Sequence, residues 1–229
     1  MKILAIIPAR SGSKRLPGKN VKILKGKPLI EWSIDAIKDI DEICDILIST
    51  DDPIAAEISH NSGVLVPWLR PAELADDLSS SADVALHALN WYENNNCEVD
   101  GVLLLQPTSP FRHKETIIKG INLFKQNKQC SIVGFSPAQS HPWLCFKING
   151  LIMDSFFAEN SKKLRSQDLP PAFVVNGSFY LISPENLRIT NSFYASQIIP
   201  LISDRPEEAI DIDSEWDWRL AEFIADEFL

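Results

Sequence analysis

The sequence has few cysteines and no long apolar run, and each scarcity removes a class of protein. Its four cysteines (Cys44, Cys97, Cys130 and Cys145) stand far apart with no C-x-x-C spacing. That argues against a zinc site and a disulfide framework, and suits a reducing cytoplasm. No apolar stretch approaches the roughly 20 residues of a membrane helix. Ile3–Ile7 is too short for a signal-peptide core and lacks a cleavage site. No G-x-G-x-x-G occurs, so a dinucleotide cofactor lacks support. The four histidines form no H-E-x-x-H or ligand cluster, and His87, set among helical apolar positions, reads as a core histidine. Internal repeats and low-complexity tracts are also missing. Basic residues are outnumbered, leaving a net charge of −9, whereas nucleic-acid binders carry a basic footprint.

The charge is distributed unevenly. Residues 1–27 hold eight of the 22 basic residues and no acidic one. A local positive field on an acidic protein points to a small polyanion, phosphate being the usual one.

Short β-branched runs alternate with amphipathic stretches. Strands are predicted at Lys2–Pro8, Asp45–Thr50, Val64–Pro67, Gly101–Gln106 and Ser131–Phe135. Helices are predicted around Ile30, Ile34 and Ile37, after the Asp52-Pro53 N-cap, at Ser81–Tyr92 and at Lys114–Gln126. This rhythm implies an α/β fold, a doubly wound, mostly parallel sheet. It breaks over residues 137–172, where Asn149-Gly150 between Phe146–Ile148 and Leu151–Met153 predicts a type I′ hairpin. We read 1–229 as one domain and 137–172 as an excursion from its sheet. Phe173–Ile182 then reads as a strand, as does Ala209–Asp213. Ser214 and Asp217 form a capping box for a last helix carrying Trp216, Leu220, Ile224 and Phe228 on one face.

The most informative segment is Pro8-Ala9-Arg10-Ser11-Gly12-Ser13-Lys14-Arg15-Leu16-Pro17-Gly18-Lys19-Asn20. It follows the first strand, where open α/β sheets place their ligands. Its glycines permit close backbone approach, and Arg10 and Lys19 can neutralise phosphate oxygens. It is not a P-loop: five residues separate Gly12 from Gly18 instead of four, and Asn20 stands where a metal-binding Ser/Thr would.

This run resembles the nucleotide-binding signature of the acylneuraminate cytidylyltransferase family, the CMP-sialic acid synthetases. The likeness continues in order at Ser49-Thr50-Asp51-Asp52, Leu69–Leu74, Gln106–Pro110, Asn176-Gly177 and Ile210–Asp213, spanning nearly the whole chain. The resemblance implies a Rossmann-like nucleotidyltransferase fold whose excursion serves as a dimerisation arm in a homodimer. It implies CTP and an acidic nine-carbon sugar as substrates, the anomeric hydroxyl attacking the α-phosphorus and pyrophosphate leaving. It assigns Arg10 and Lys19 to the triphosphate as catalytic groups, with Ala9, Ser11, Asn20, Arg70, Ser81 and Gln106 around the nucleotide. Two competing readings are local: Arg70 as a loop salt bridge and Ser81 as a helix cap. Asp51 and Asp52 read as structural.

Asp211 and Asp213 are the candidate metal ligands. Positions i and i+2 of a strand share a face, and two hard oxygens plus substrate phosphates are a usual way to hold Mg²⁺, or Mn²⁺. A helix-start role competes, but Ser214 already supplies that cap.

On the sugar side the resemblance points to Gln106, Arg165, Gln167, Asn176, Phe179 and Phe193, with Tyr194 beside them. Here the chain departs from the family. Ser166 separates Arg165 from Gln167, where the family has Arg next to Gln, and Trp143-Leu144 follows His141-Pro142 where some members have a lysine. Arg165 is the expected partner of the sugar carboxylate. The rivals are a cytidylyltransferase for legionaminic, pseudaminic or 3-deoxy-octulosonic acid, and a nucleotide-sugar glycosyltransferase, whose D-x-D normally lies mid-chain.

Overall fold

A computed structural model describes residues 1–76, 79–157 and 165–228. The elements run β1 (Ile3–Pro8), the short antiparallel pair β2 (Ile23–Leu24) and β3 (Lys27–Pro28), α1 (Leu29–Asp35), β4 (Ile43–Ser49), α2 (Pro53–Asn61), α3 (Ser81–Asn95) and β5 (Gly101–Leu104). They continue with α4 (Lys114–Gln126), β6 (Ser131–Pro137), β7 (Phe146–Asn149), β8 (Ile152–Ser155), β9 (Phe173–Ile182), α5 (Pro184–Thr190), β10 (Ile198–Ile202) and α6 (Glu215–Phe228).

β1 shows why the sheet is covered on both faces. Ile3, Ala5 and Ile7 join Ile30 and Ile34 of α1, Ala55 of α2 and Ile117, Ile121 and Phe124 of α4 in one core. Leu4 and Ile6 point the other way, into a second core with Ala85, Leu89 and Tyr92 of α3 and Leu187 of α5. A strand with no polar face belongs in the middle of such a sandwich.

The six strands lie in the order β10-β6-β9-β5-β1-β4. Three of the five pairings are parallel, while β9 runs antiparallel to both neighbours. The excursion accounts for this. Between β6 and β9 the described residues hold the β7–β8 hairpin and no α-helical crossover, and β9 enters from the opposite end. Residues 158–164 of the excursion lie outside those described.

Four expectations need correction. Val64–Pro67 makes only an isolated bridge, Leu47 to Leu65, as suits a segment interrupted by Pro67. In the β7–β8 hairpin Asn149 pairs with Ile152, so Gly150 and Leu151 form the turn, one residue later than predicted. Gly150 has a positive φ, 64°, but Leu151 does not, so the turn is not the predicted type I′, which needs positive φ at both central positions. Ala209–Asp213 is no strand: a 3₁₀ turn over Pro206–Ala209 leads into an extended segment tied by the Ile212 N–H to the Thr108 carbonyl, 2.8 Å. α6 buries Trp218, Ala221, Ile224 and Ala225 against Leu16, Leu24 and Phe111, whereas Trp216 is 75% exposed. The Phe228 side chain lies outside the described residues. The capping box is present, Ser214 and Asp217 exchanging bonds at the start of α6.

Candidate active site

Strands β1, β4 and β5 are mutually parallel and end on the same edge of the sheet. The loops leaving that edge enclose a cavity of about 550 Å³. Arg10, Lys14, Arg15, Lys19 and Asn20 line it from the loop after β1, Arg70 and Ser81 from beyond β4, and Gln106 and Thr108 from the turn after β5. Asp211 and Asp213 complete the wall.

The first loop is held from within. The Ala9 N–H donates to the Ser49 carbonyl and the Asn20 amide to the Arg10 carbonyl, 2.9 Å each, so the chain closes on itself between Arg10 and Asn20. The Ser11 N–H and hydroxyl both donate to Asp51, 2.8 and 2.6 Å. Burial pushes the Asp51 carboxyl upward, but the Ser11 bonds outweigh it and hold the group below its ordinary value. Asp52 caps α2 through Ile54 N–H. Ala9 is fully buried and Ser11 turns to Asp51, so neither side chain reaches the cavity.

Two cations meet one aspartate at the far wall. Lys19 Nζ donates to Asp213 Oδ1, 2.9 Å, and to the Ile212 carbonyl, 2.8 Å, while Arg15 bonds the other Asp213 oxygen at 2.5 Å. Ile212 is buried, so its neighbours Asp211 and Asp213 both face the cavity although no strand is formed. Burial first, with the Asp213 charge adding to it, pushes the Asp211 carboxyl above its ordinary value against the pull of Thr108 and Lys19. Two repelling carboxylates beside a basic cavity fit a divalent cation. Among the described residues no third His, Cys, Asp or Glu joins them, so further ligands would be phosphate or water oxygens.

Arg70 is buried and donates through Nε to the Ser49 hydroxyl, 3.0 Å, and through Nη2 to the Ser49 carbonyl. Desolvation lowers its pKa to about 10, leaving it cationic at neutral pH. Among the described residues it makes no salt bridge, and Ser81 is no cap. Ser80 caps α3 in a capping box with Asp83, which leaves the Ser81 hydroxyl without a hydrogen bond among the described residues.

A second cavity of about 230 Å³ adjoins the first, sharing Ser80, Ser81 and Gln106 with it. Tyr180, Phe193 and Tyr194 form its aromatic wall, the Tyr180 ring lying 6.0 and 6.2 Å from the other two. Phe193 is therefore at a cavity, and Phe179 is not. Strand alternation turns Phe179 into the opposite core, where it fills the space over Gly120. The same period-2 reading of β9 marks Tyr180, which sequence reasoning missed. Asn176 is buried and committed to Ser136 and Ser178, so it reaches neither cavity. Arg165 and Gln167 are exposed on the excursion and line neither cavity. His87 packs edge-on against Trp68 at 4.8 Å, but its Nδ1 has no partner among the described residues, so it is packed without being satisfied.

A twisted sheet covered on both faces, with a cation-lined cavity over the ends of its parallel strands, defines an α/β nucleotidyltransferase. The chain belongs to the cytidylyltransferase family, whose model matches residues 4–149. It is 38% identical over 225 residues to the CMP-N,N'-diacetyllegionaminic acid synthase of Legionella pneumophila, spanning 97% of this chain and 95% of that one. It is 34% identical over 222 residues to the N-acylneuraminate cytidylyltransferase of Streptococcus agalactiae, spanning 95% of this chain and 52% of that longer protein. A CMP:2-keto-3-deoxy-manno-octonic acid synthetase complexed with CTP shares the fold, with a TM-score of 0.70 at 17% identity and complete coverage of both chains. Among the described residues no helix is long and apolar enough to cross a membrane.

Proposed function

We propose that this enzyme transfers CMP from CTP to the anomeric hydroxyl of a sialic-acid-like nonulosonic acid and releases pyrophosphate. The observation that carries the reading is the junction at Gln106, Ser80 and Ser81, where the basic cavity meets the aromatic-walled one. The triphosphate lies in the larger cavity, with Arg10 and Lys19 neutralising charge on the phosphates and Arg70, Ser81 and Asn20 on the nucleotide side. The sugar's acylamino end enters the smaller cavity against Tyr180, Phe193 and Tyr194. Its anomeric oxygen then faces the α-phosphorus. The new O–P bond forms as the bond to pyrophosphate breaks, and the hydroxyl proton passes to solvent. Such a transfer needs positioning and charge neutralisation more than covalent help.

Asp211 and Asp213 are the residues that would hold Mg²⁺ or Mn²⁺, which neutralises phosphate charge when bound. Arg165 and Gln167 line neither of these two cavities, and the excursion exposes Phe146, Ile148, Leu151, Ile152, Met153 and Phe156. A patch of this kind marks an interface. A homodimer in which the arm carries Arg165 and Gln167 to the partner's sugar site accounts for both facts. Four free cysteines and dependence on CTP fit a cytoplasmic location.

The test is pyrophosphate release from CTP with a panel of nine-carbon and eight-carbon α-keto acids. Turnover confined to a nine-carbon acid supports the reading, and preference for 3-deoxy-octulosonic acid rejects it.

A further inference from the structure

Arg112 is placed at a high desolvation cost. Its guanidinium is buried and makes three hydrogen bonds, none of them to a carboxylate. Nε donates to the Ser178 carbonyl at 2.6 Å, Nη2 to the Gln106 carbonyl at 2.6 Å, and Nη1 to the Ser33 hydroxyl at 3.0 Å. Desolvation lowers its pKa to about 9, so the group is still charged at neutral pH, with Glu208 and Asp211 as more distant balancing charges. Burying a cation without a contacting counter-ion costs several kcal/mol. A neutral donor could bridge two carbonyls more cheaply, so what the guanidinium adds is its rigid planar fork.

The groups it joins lie at the boundary between the two cavities. Gln106 lines both of them, and its own amide makes no hydrogen bond among the described residues. Ser178 belongs to the kink of β9, where the pairing with β6 changes register. Within that kink Gly177 sits at φ 74°, so close to Gln106 that an added Cβ would lie 3.1 Å from Oε1 and 3.0 Å from the Ser109 hydroxyl. The turn from Gln106 to Arg112 also carries Thr108, whose carbonyl anchors Ile212 between the two aspartates.

We infer that Arg112 is a positioning residue: by clamping the Gln106 carbonyl to the β9 kink and to α1, it fixes where the Gln106 side chain meets the acidic sugar, and so aligns the sugar with the nucleotide. It touches neither substrate itself. The inference rests on the placement of the sugar in the smaller cavity.

The experiment compares Arg112→Lys with Gln106→Ala in the full chain, measuring kcat, the KM of each substrate and the melting temperature. Arg112→Lys keeps the charge and loses the fork. It should lower kcat/KM for the sugar acid about 30-fold or more while the KM for CTP stays within about threefold, and Gln106→Ala should show the same split. Millimolar guanidinium should restore part of the activity of Arg112→Ala, which a general loss of packing would not allow. Should Arg112→Lys fold poorly, Ser33→Ala removes one acceptor only and should give a smaller change of the same pattern. A normal sugar kcat/KM in folded Arg112→Lys, with Gln106→Ala impaired, overturns the positioning role. Equal damage to both KM values in Arg112→Lys and Ser33→Ala, without guanidinium rescue, overturns it too. A Gln106→Ala enzyme with an unchanged sugar KM instead rejects the placement of the sugar on which the inference stands.

Discussion

Lys19 Nζ lies 2.9 Å from Asp213 Oδ1, so the basic loop and the acidic segment that hold opposite ends of the expected substrate–metal array already touch. Arg15 occupies the other oxygen of the same carboxylate. A divalent cation must compete with these two cations for Asp213, whereas Asp211 feels Lys19 only at a distance, without a hydrogen bond to it.

Activity should therefore depend on Mg²⁺ or Mn²⁺. Asp211→Asn and Asp213→Asn should each lower kcat about 10²-fold, roughly 3 kcal/mol of lost transition-state stabilisation. Turnover that persists in excess chelator would contradict the metal assignment.

Asp211→Asn should also separate activity from stability. The carboxyl of Asp211 is held above its ordinary pKa, so its protonated form is the one the fold favours. Its contribution to stability is complete below the unfolded-state pKa and is lost as pH rises through the raised folded-state value. At neutral pH the charged group is thus a strain on the ligand-free protein. Asn, uncharged at every pH, should raise the melting temperature at pH 7 relative to the parent, and the difference should shrink on acidification. A lowered melting temperature at pH 7 would show that the carboxylate stabilises the segment.

CTP should be strongly preferred to UTP. Buried Arg70 and the unbonded Ser81 hydroxyl supply fixed polar groups on one wall of the cavity. A site that hydrogen-bonds one base leaves such groups unpaired with another, which costs specificity factors far beyond those of shape alone. Similar kcat/KM values for the two nucleotides would rule this out.

The excursion gives the most direct test of assembly. Ile148 is 77% and Ile152 68% exposed, on the two adjacent strands of the hairpin. Ile152→Asp should dissociate the proposed dimer and weaken sugar turnover together, because it would withdraw Arg165 and Gln167 from the partner's site. Sedimentation showing the parent chain as a monomer at micromolar concentration would end this reading.

How far the sequence could be read depended on the range of the interaction. β1 and the loop after it were legible because an apolar run, two glycines and a cluster of cations are all local signals. Asp211 and Asp213 were placed on one side for a reason that proved incorrect. Their alternation with buried Ile212 survives, but it is pinned to Thr108, about a hundred residues away, and no ladder exists. Phe179 looked like a pocket residue because aromatic character says nothing about which face of β9 a residue takes. Arg112 gave no signal at all: its partners Ser33, Gln106 and Ser178 come from three elements, and only the folded sheet brings them to one guanidinium.

The last prediction concerns Arg10, at the opposite end of the loop from Lys19. Both side chains line the larger cavity, and the backbone between them is tied by the Asn20 amide to the Arg10 carbonyl. If they neutralise charge that develops in the transition state, truncation must reduce kcat as well as kcat/KM. Arg10→Ala should cost about 10²–10³-fold, the scale of losing one preorganised charge stabiliser. Arg10→Lys should recover only part of this, since an ammonium cannot hold two phosphate oxygens as a planar fork does. Neither change should unfold the chain, because the first loop is closed through the Arg10 carbonyl, while the guanidinium reaches outward to the Asp76 carbonyl, 3.2 Å, at the surface. Steady-state kinetics beside a thermal melt separates the cases. An unchanged kcat with a raised KM would confine Arg10 to binding CTP, and a collapsed melting temperature would make it a structural residue of the loop.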